Sequence, residues 1–134
     1  MNTTALTAPD LADIERLALA ARDALSPDFK RPAMQVALRV EDFADEDMLD
    51  ELELENAFQL TGMYEGIPLI EKSSFDQPMR PDTIWLFRRP ILDEWAERGD
   101  VTLGALVSHV YIHELAHHFG WSDADIARID RWWE

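Results

Sequence analysis

From Val101 to Leu115 the chain places apolar residues at Val101, Leu103, Leu106, Val107, Val110, Ile112 and Leu115. Wound into a helix, these positions cover most of the circumference, and a helix with no solvent face belongs in the middle of a core. The pattern predicts a long buried helix, capped by Asp100, around which the other elements must be arranged. Its last turns run into HELAHHFGWSD, His113 to Asp123, where three histidines, a glutamate and an aspartate follow the apolar run. Polar groups of this kind are costly to bury without partners, and the candidate partner is a metal ion.

The spacing specifies how that ion is held. Residues four apart on a helix lie one above the other, so His113 and His117 offer two imidazoles on one side. Glu114 lies about 100° round from His113, placed to reach a water and not the same ion. Gly120 closes the helix in a left-handed cap and the chain turns back, bringing Asp123 as a third ligand. Two histidines and one carboxylate leave one position of a tetrahedral zinc open, which is the arrangement of a catalytic site. The chemistry expected there is amide hydrolysis of a peptide or protein, with Glu114 as general base taking the proton of a water whose pKa the Zn2+ lowers.

Two other readings stay open. A non-catalytic binding module could use the metal to hold a small domain together, and a non-haem iron oxygenase also takes two histidines and a carboxylate. Neither has a use for a glutamate beside the ligands. His109 continues the histidine stripe, but a rise of about 12 Å to His117 prevents all three from sharing one ion, so His109 is expected to line the wall of the site. His118 is expected to be packed or hydrogen-bonded, and Trp85, Phe87, Trp121, Trp132 and Trp133 to lie in the core.

The rest of the chain reads as a single α+β domain over residues 1–134. Leu11, Ile14, Leu17, Ala21 and Leu25 repeat at helical spacing over 9–25, behind a Thr7-x-x-Asp10 capping pair and before a stop at Ser26-Pro27. After a break at Lys30-Arg31-Pro32, the alternation Met34, Val36, Leu38, Val40 predicts a strand. Glu41 to Glu55 holds nine acidic residues and no basic one, interleaved with leucines, and reads as a solvated helix on an apolar stripe. Residues 59–64 and 67–72 flank Glu65-Gly66 as the arms of a hairpin, and Thr83 to Arg88 predicts a further strand. Pro90 opens a short helix ending near Arg98-Gly99, and a last one starts at Ser122.

Net charge narrows the partners. With 12 basic and 27 acidic residues the chain carries −15, a field that repels phosphate backbones and anionic lipid, so neither nucleic acid nor membrane is expected. There is no cysteine, hence no thiolate metal site and no disulfide framework. The start of the chain lacks the basic flank and apolar stretch of a secretory signal, and a cytoplasmic location is expected.

The string H-E-x-x-H-x-x-G-x-x-D at 113–123 resembles the zincin metallopeptidases, and in its extended form is similar to the metzincins. Together with VEDF at 40–43, GMYEGIPL at 62–69 and DTIWLFRRPI at 82–91, it resembles the small bacterial family of minimal zincin-like metallopeptidases over about residues 30 to 130. The resemblance implies an α+β zincin fold, a small mixed or antiparallel sheet packed on a buried active-site helix. It implies zinc on His113, His117 and Asp123, with Glu114 as base, and a substrate strand laid along a sheet edge at Ile67 to Lys72 or Thr83 to Arg88, the hairpin being favoured. One departure concerns the floor of the site: metzincins place a methionine turn downstream of the third ligand, whereas 11 residues follow Asp123 and none is methionine. The floor must come from elsewhere, and the cleft is expected to be shallow and open.

Overall fold

The computed structural model describes residues 8–66 and 82–121. Thr7, the hairpin arm Ile67 to Lys72, Asp123 and the helix expected from Ser122 lie outside the described residues, as do Trp132 and Trp133. In chain order the described elements are α1 (Leu11–Asp23), α2 (Pro27–Ala33), β1 (Ala37–Glu41), α3 (Glu46–Glu51), a 3-10 turn (Ala57–Gln59), β2 (Gly62–Glu65), β3 (Thr83–Phe87), α4 (Arg88–Arg98) and α5 (Leu103–His118). Helices and a three-stranded mixed sheet make this an α+β fold, as expected.

α5 is the central element. Leu106, Val107, Val110, Tyr111 and Leu115 are buried, and they meet Ile14 and Ala18 of α1 and Ile84 and Leu86 of β3 in one cluster. Burial pushes the Tyr111 phenol up to about 12, so it enters that cluster as a neutral group. The sheet has the order β1-β3-β2. β3 pairs with β1 in parallel, from Ala37↔Thr83 to Glu41↔Phe87, and with β2 antiparallel, from Gly62↔Leu86 to Glu65↔Thr83. Residues directly opposite share a face, so Gly62 and Tyr64 lie on the helix side with Leu86 and Ile84. Because β3 is flanked on both sides, Thr83 to Arg88 cannot supply the free edge proposed for a substrate strand, and Arg88 already belongs to α4. Arg88 instead ties the layers together, donating through Nε to Asp42 Oδ1 at 2.7 Å and through Nη1 to the Pro9 carbonyl at 2.8 Å.

Several boundaries differ from the sequence pattern, each for a local reason. α1 is capped by Asp10 itself, whose carboxylate accepts from the Asp13 N–H at 2.8 Å while Asp13 accepts from the Asp10 N–H at 2.9 Å. The Ser26-Pro27 stop is also a start, since proline at the first helical position has its φ preset and needs no partner for the missing N–H. α2 follows from it and contains Pro32, which forfeits one intrahelical bond. The strand therefore begins at Ala37, and Met34 is the exposed C-cap of α2. α4 starts at Arg88, ahead of Pro90, and Thr102 caps α5 in place of Asp100, its Oγ1 accepting from the Ala105 N–H at 3.1 Å.

α3 is far shorter than the acidic run suggested and buries no residue. It ends in a Schellman turn, with Glu53 N–H on the Asp50 carbonyl at 3.1 Å and Leu54 N–H on the Leu49 carbonyl at 2.9 Å. Glu53 occupies the left-handed position of that turn at φ 57°, where glycine is the usual residue. Glu53→Gly is expected to stabilise the fold by about 0.5–1 kcal/mol, the relieved strain exceeding the added freedom of the unfolded chain. An unchanged or lower urea midpoint would contradict this. In α1, the Asp10 backbone N–H and then Arg16 hold the Asp13 carboxyl below its ordinary value of 3.8. A depressed carboxylate pKa contributes stability above the unfolded value and loses it as pH falls. The destabilisation caused by Asp13→Ala is therefore expected to be larger at neutral pH than below pH 3.8, as read from denaturation midpoints at both.

Candidate metal centre

The polar end of α5 exists because the helix is rigid and central up to that point. His113 and His117 stand on consecutive turns with ring centroids 4.9 Å apart and planes at 80°. His109 continues the row, 6.1 Å from His113. The helix then stops in a second Schellman turn: Gly120, at φ 81°, donates to the His117 carbonyl at 2.9 Å, and Trp121 donates to the Ala116 carbonyl at 3.0 Å. This satisfies the carbonyls of Ala116 and His117 and ends the helix directly after the histidine pair, as the position of Gly120 predicted, while the return of the chain to Asp123 lies outside the described residues.

Beside this turn lies an open cavity of about 630 Å³. Glu114 and His117 form its helical wall, Gly62, Met63 and Tyr64 of β2 the facing wall, and Leu52, Leu60 and Trp121 contribute apolar surface. His109 is not among the lining residues, contrary to the expectation from the stripe, and His113 stands one turn behind His117. Trp121, expected in the core, lines this cavity and also meets Phe29 at 5.6 Å and Phe119 at 5.8 Å between ring centroids.

Two features of the site had no signal of their own in the sequence. The first is the approach of β2 to α5. A Cβ on Gly62 would lie 2.7 Å from Val110 Cγ1, 3.2 Å from the Trp85 carbonyl oxygen and 3.3 Å from Glu114 Cγ. Only a residue without a side chain lets the strand run this close to the glutamate. The second is a buried polar cluster. The Tyr64 hydroxyl donates to Asp82 Oδ2 at 2.8 Å and lies 3.0 Å from His118 Nδ1, which is itself 3.1 Å from Asp82 Oδ2. His118 is thus both packed and hydrogen-bonded, as expected, but its partners come from β2 and from the residue before β3.

The donor chemistry fits zinc. Two imidazoles on successive turns are the nitrogen half of a zinc site, and the chain offers no competing thiolate. Among the described residues no group of three histidine or carboxylate side chains is assembled to hold an ion, and the third expected ligand, Asp123, lies outside them.

A buried helix carrying H-E-x-x-H packed against a small mixed sheet is the zincin class of architecture. The chain belongs to the zincin-like metallopeptidase family, whose family model matches residues 33–133. No curated protein matches the chain significantly.

Gly62→Ala is expected to force Val110 and Glu114 aside and to destabilise the fold by about 1–3 kcal/mol, the usual range for overpacking. Hydrogen exchange of the β2 amides would register the displacement as lost protection. Retention of both the denaturation midpoint and that protection would show that the close contact is not needed.

Proposed function

We propose that the protein is a zinc-dependent peptide hydrolase, with His113, His117 and Asp123 holding one Zn2+ and Glu114 serving as general base. The observation that carries this reading is the position of Glu114. It lines the cavity next to His117, with the strand β2 opposite, as a general base beside a metal-held water must. A site whose metal only braced the domain would fill its coordination with protein groups and would need no base opening into a cavity.

Each residue has a separate part in the reaction. His113 and His117 supply nitrogen donors and Asp123 a carboxylate oxygen, and zinc held there supplies Lewis acidity, lowering the pKa of a water toward neutrality. Glu114 removes a proton from the water that attacks the peptide carbonyl and delivers it to the departing amine. The extended substrate is read as lying along the sheet edge on the β2 side, where the hairpin arm Ile67 to Lys72 is favoured; what supports this is that Gly62, Met63 and Tyr64 of β2 line the cavity and that β3 has a strand on each side. Leu52, Leu60 and Trp121 keep part of the cavity apolar. No described helix is long and apolar enough to cross a membrane, and the charge of −15 disfavours polyanionic partners, which leaves a peptide or protein as the substrate of this reading.

Glu114→Gln is expected to keep the fold and one zinc per chain while lowering hydrolysis across a peptide library by about 10²–10⁴-fold. Asp123→Ala, His113→Ala and His117→Ala are expected to lose zinc as well, by elemental analysis. Hydrolysis by Glu114→Gln at the parental rate would remove the base from its role. A zinc-loaded parent that cleaves nothing in the library would favour the binding module, and turnover requiring ferrous iron and dioxygen would favour the oxygenase.

A further inference from the structure

We propose that Tyr64, Asp82 and His118 are positioning residues: together they fix the register of β2 along α5 and so set where Glu114 and His117 stand in the cavity. The consequence for catalysis rests on the hydrolase reading above, whereas the effect on metal geometry does not. Asp82 and His118 are 7% and 4% exposed, so their polar groups sit in the interior. The Tyr64 O–H donates to Asp82 Oδ2 at 2.8 Å, and His118 Nδ1 lies 3.1 Å from the same oxygen and 3.0 Å from the hydroxyl, so three side chains meet at one point and hold the His118 ring. The chain also wraps the carboxylate closely, since a Cβ on Gly66 would come within 2.5 Å of Asp82 Cγ. Apolar residues of similar volume would serve stability at least as well as such a buried polar group, so stability alone does not account for it.

What the cluster adds is position along an axis. β2 runs along α5 with Gly62 beside Val110 and Glu114 and with Tyr64 beside His118. Two residues of strand advance about 6.6 Å and four residues of helix about 6 Å, so the contacts repeat in step. His117 falls between them. The Gly62 contact permits close approach but, being a contact with a bare backbone, does not resist sliding. The directional bonds at Tyr64 do, and the Tyr64 ring itself forms part of the cavity wall.

The test removes one oxygen atom. In Tyr64→Phe, circular dichroism is expected to match the parent, zinc affinity by chelator competition to fall at least about tenfold, and the visible bands of the cobalt(II)-substituted protein to change. At saturating zinc, kcat is expected to fall at least about tenfold with KM within about twofold, the mark of an interaction used in the transition state. Asp82→Asn, which keeps one acceptor, is expected to retain more zinc affinity than Asp82→Ala. It carries the same readouts should Tyr64→Phe fail to fold. A Tyr64→Phe protein that is merely less stable, with parental cobalt spectrum, zinc affinity and kcat, would overturn the proposal, as would a parent that binds neither metal. A parent that binds zinc and cobalt but hydrolyses nothing would overturn the hydrolase reading alone, because the cobalt spectrum and zinc affinity still decide the network.

Discussion

The structure depends on one packing constraint: α5 is apolar almost all round, so it can be covered only if a helix lies against one side and a sheet against another. α1 and α4 provide helical cover and β2 and β3 provide the sheet. Burial on all sides makes α5 a rigid mount. His113, Glu114 and His117 inherit their relative placement from helical geometry, and the surrounding elements decide only what faces them. Tolerance is small at Gly62, where the strand backbone reaches the helix without any intervening side chain.

The polar cluster and the apolar core therefore divide the work between them. Ile14, Ile84, Leu86 and Val107 are fully buried and hold α5 in the interior without directional preference. Tyr64, Asp82 and His118 add directional bonds at the end of the helix where His113, Glu114 and His117 stand. The Schellman turn at Gly120 then ends α5, and Trp121 directly after it contributes to the lining of the cavity.

Much of this was legible in the sequence where the signal is local. The 3.6-residue repeat of Leu106, Val110 and its neighbours identified α5, and Gly120 identified its end, because both are properties of one segment. The histidine pair followed from the same geometry. Local signals failed where two of them competed. Pro32 reads as a breaker but sits inside α2, and the Met34 to Val40 alternation begins before the strand does. Nothing local announced that Glu53 would adopt a left-handed conformation and cut α3 short. Long-range facts were not available at all. That β3 is the middle strand depends on partners at Ala37 and Glu65, and the bonds of Tyr64 reach 18 residues to Asp82 and 54 to His118.

The parallel pairing of β1 with β3 joins residues as far apart as Ala37 and Thr83, and the cavity gathers Leu52, Tyr64, Glu114 and Trp121 from equally distant places. Contacts of such separation form late, since each must first overcome the entropy of closing a long loop. The H-E-x-x-H turn, by contrast, is written within a single helix. During synthesis or partial unfolding the chain can therefore possess its histidine pair before it possesses the wall that faces them. A chain that acquires its groove last is one whose histidine pair and Glu114 stay unfaced until its own strands have found their places.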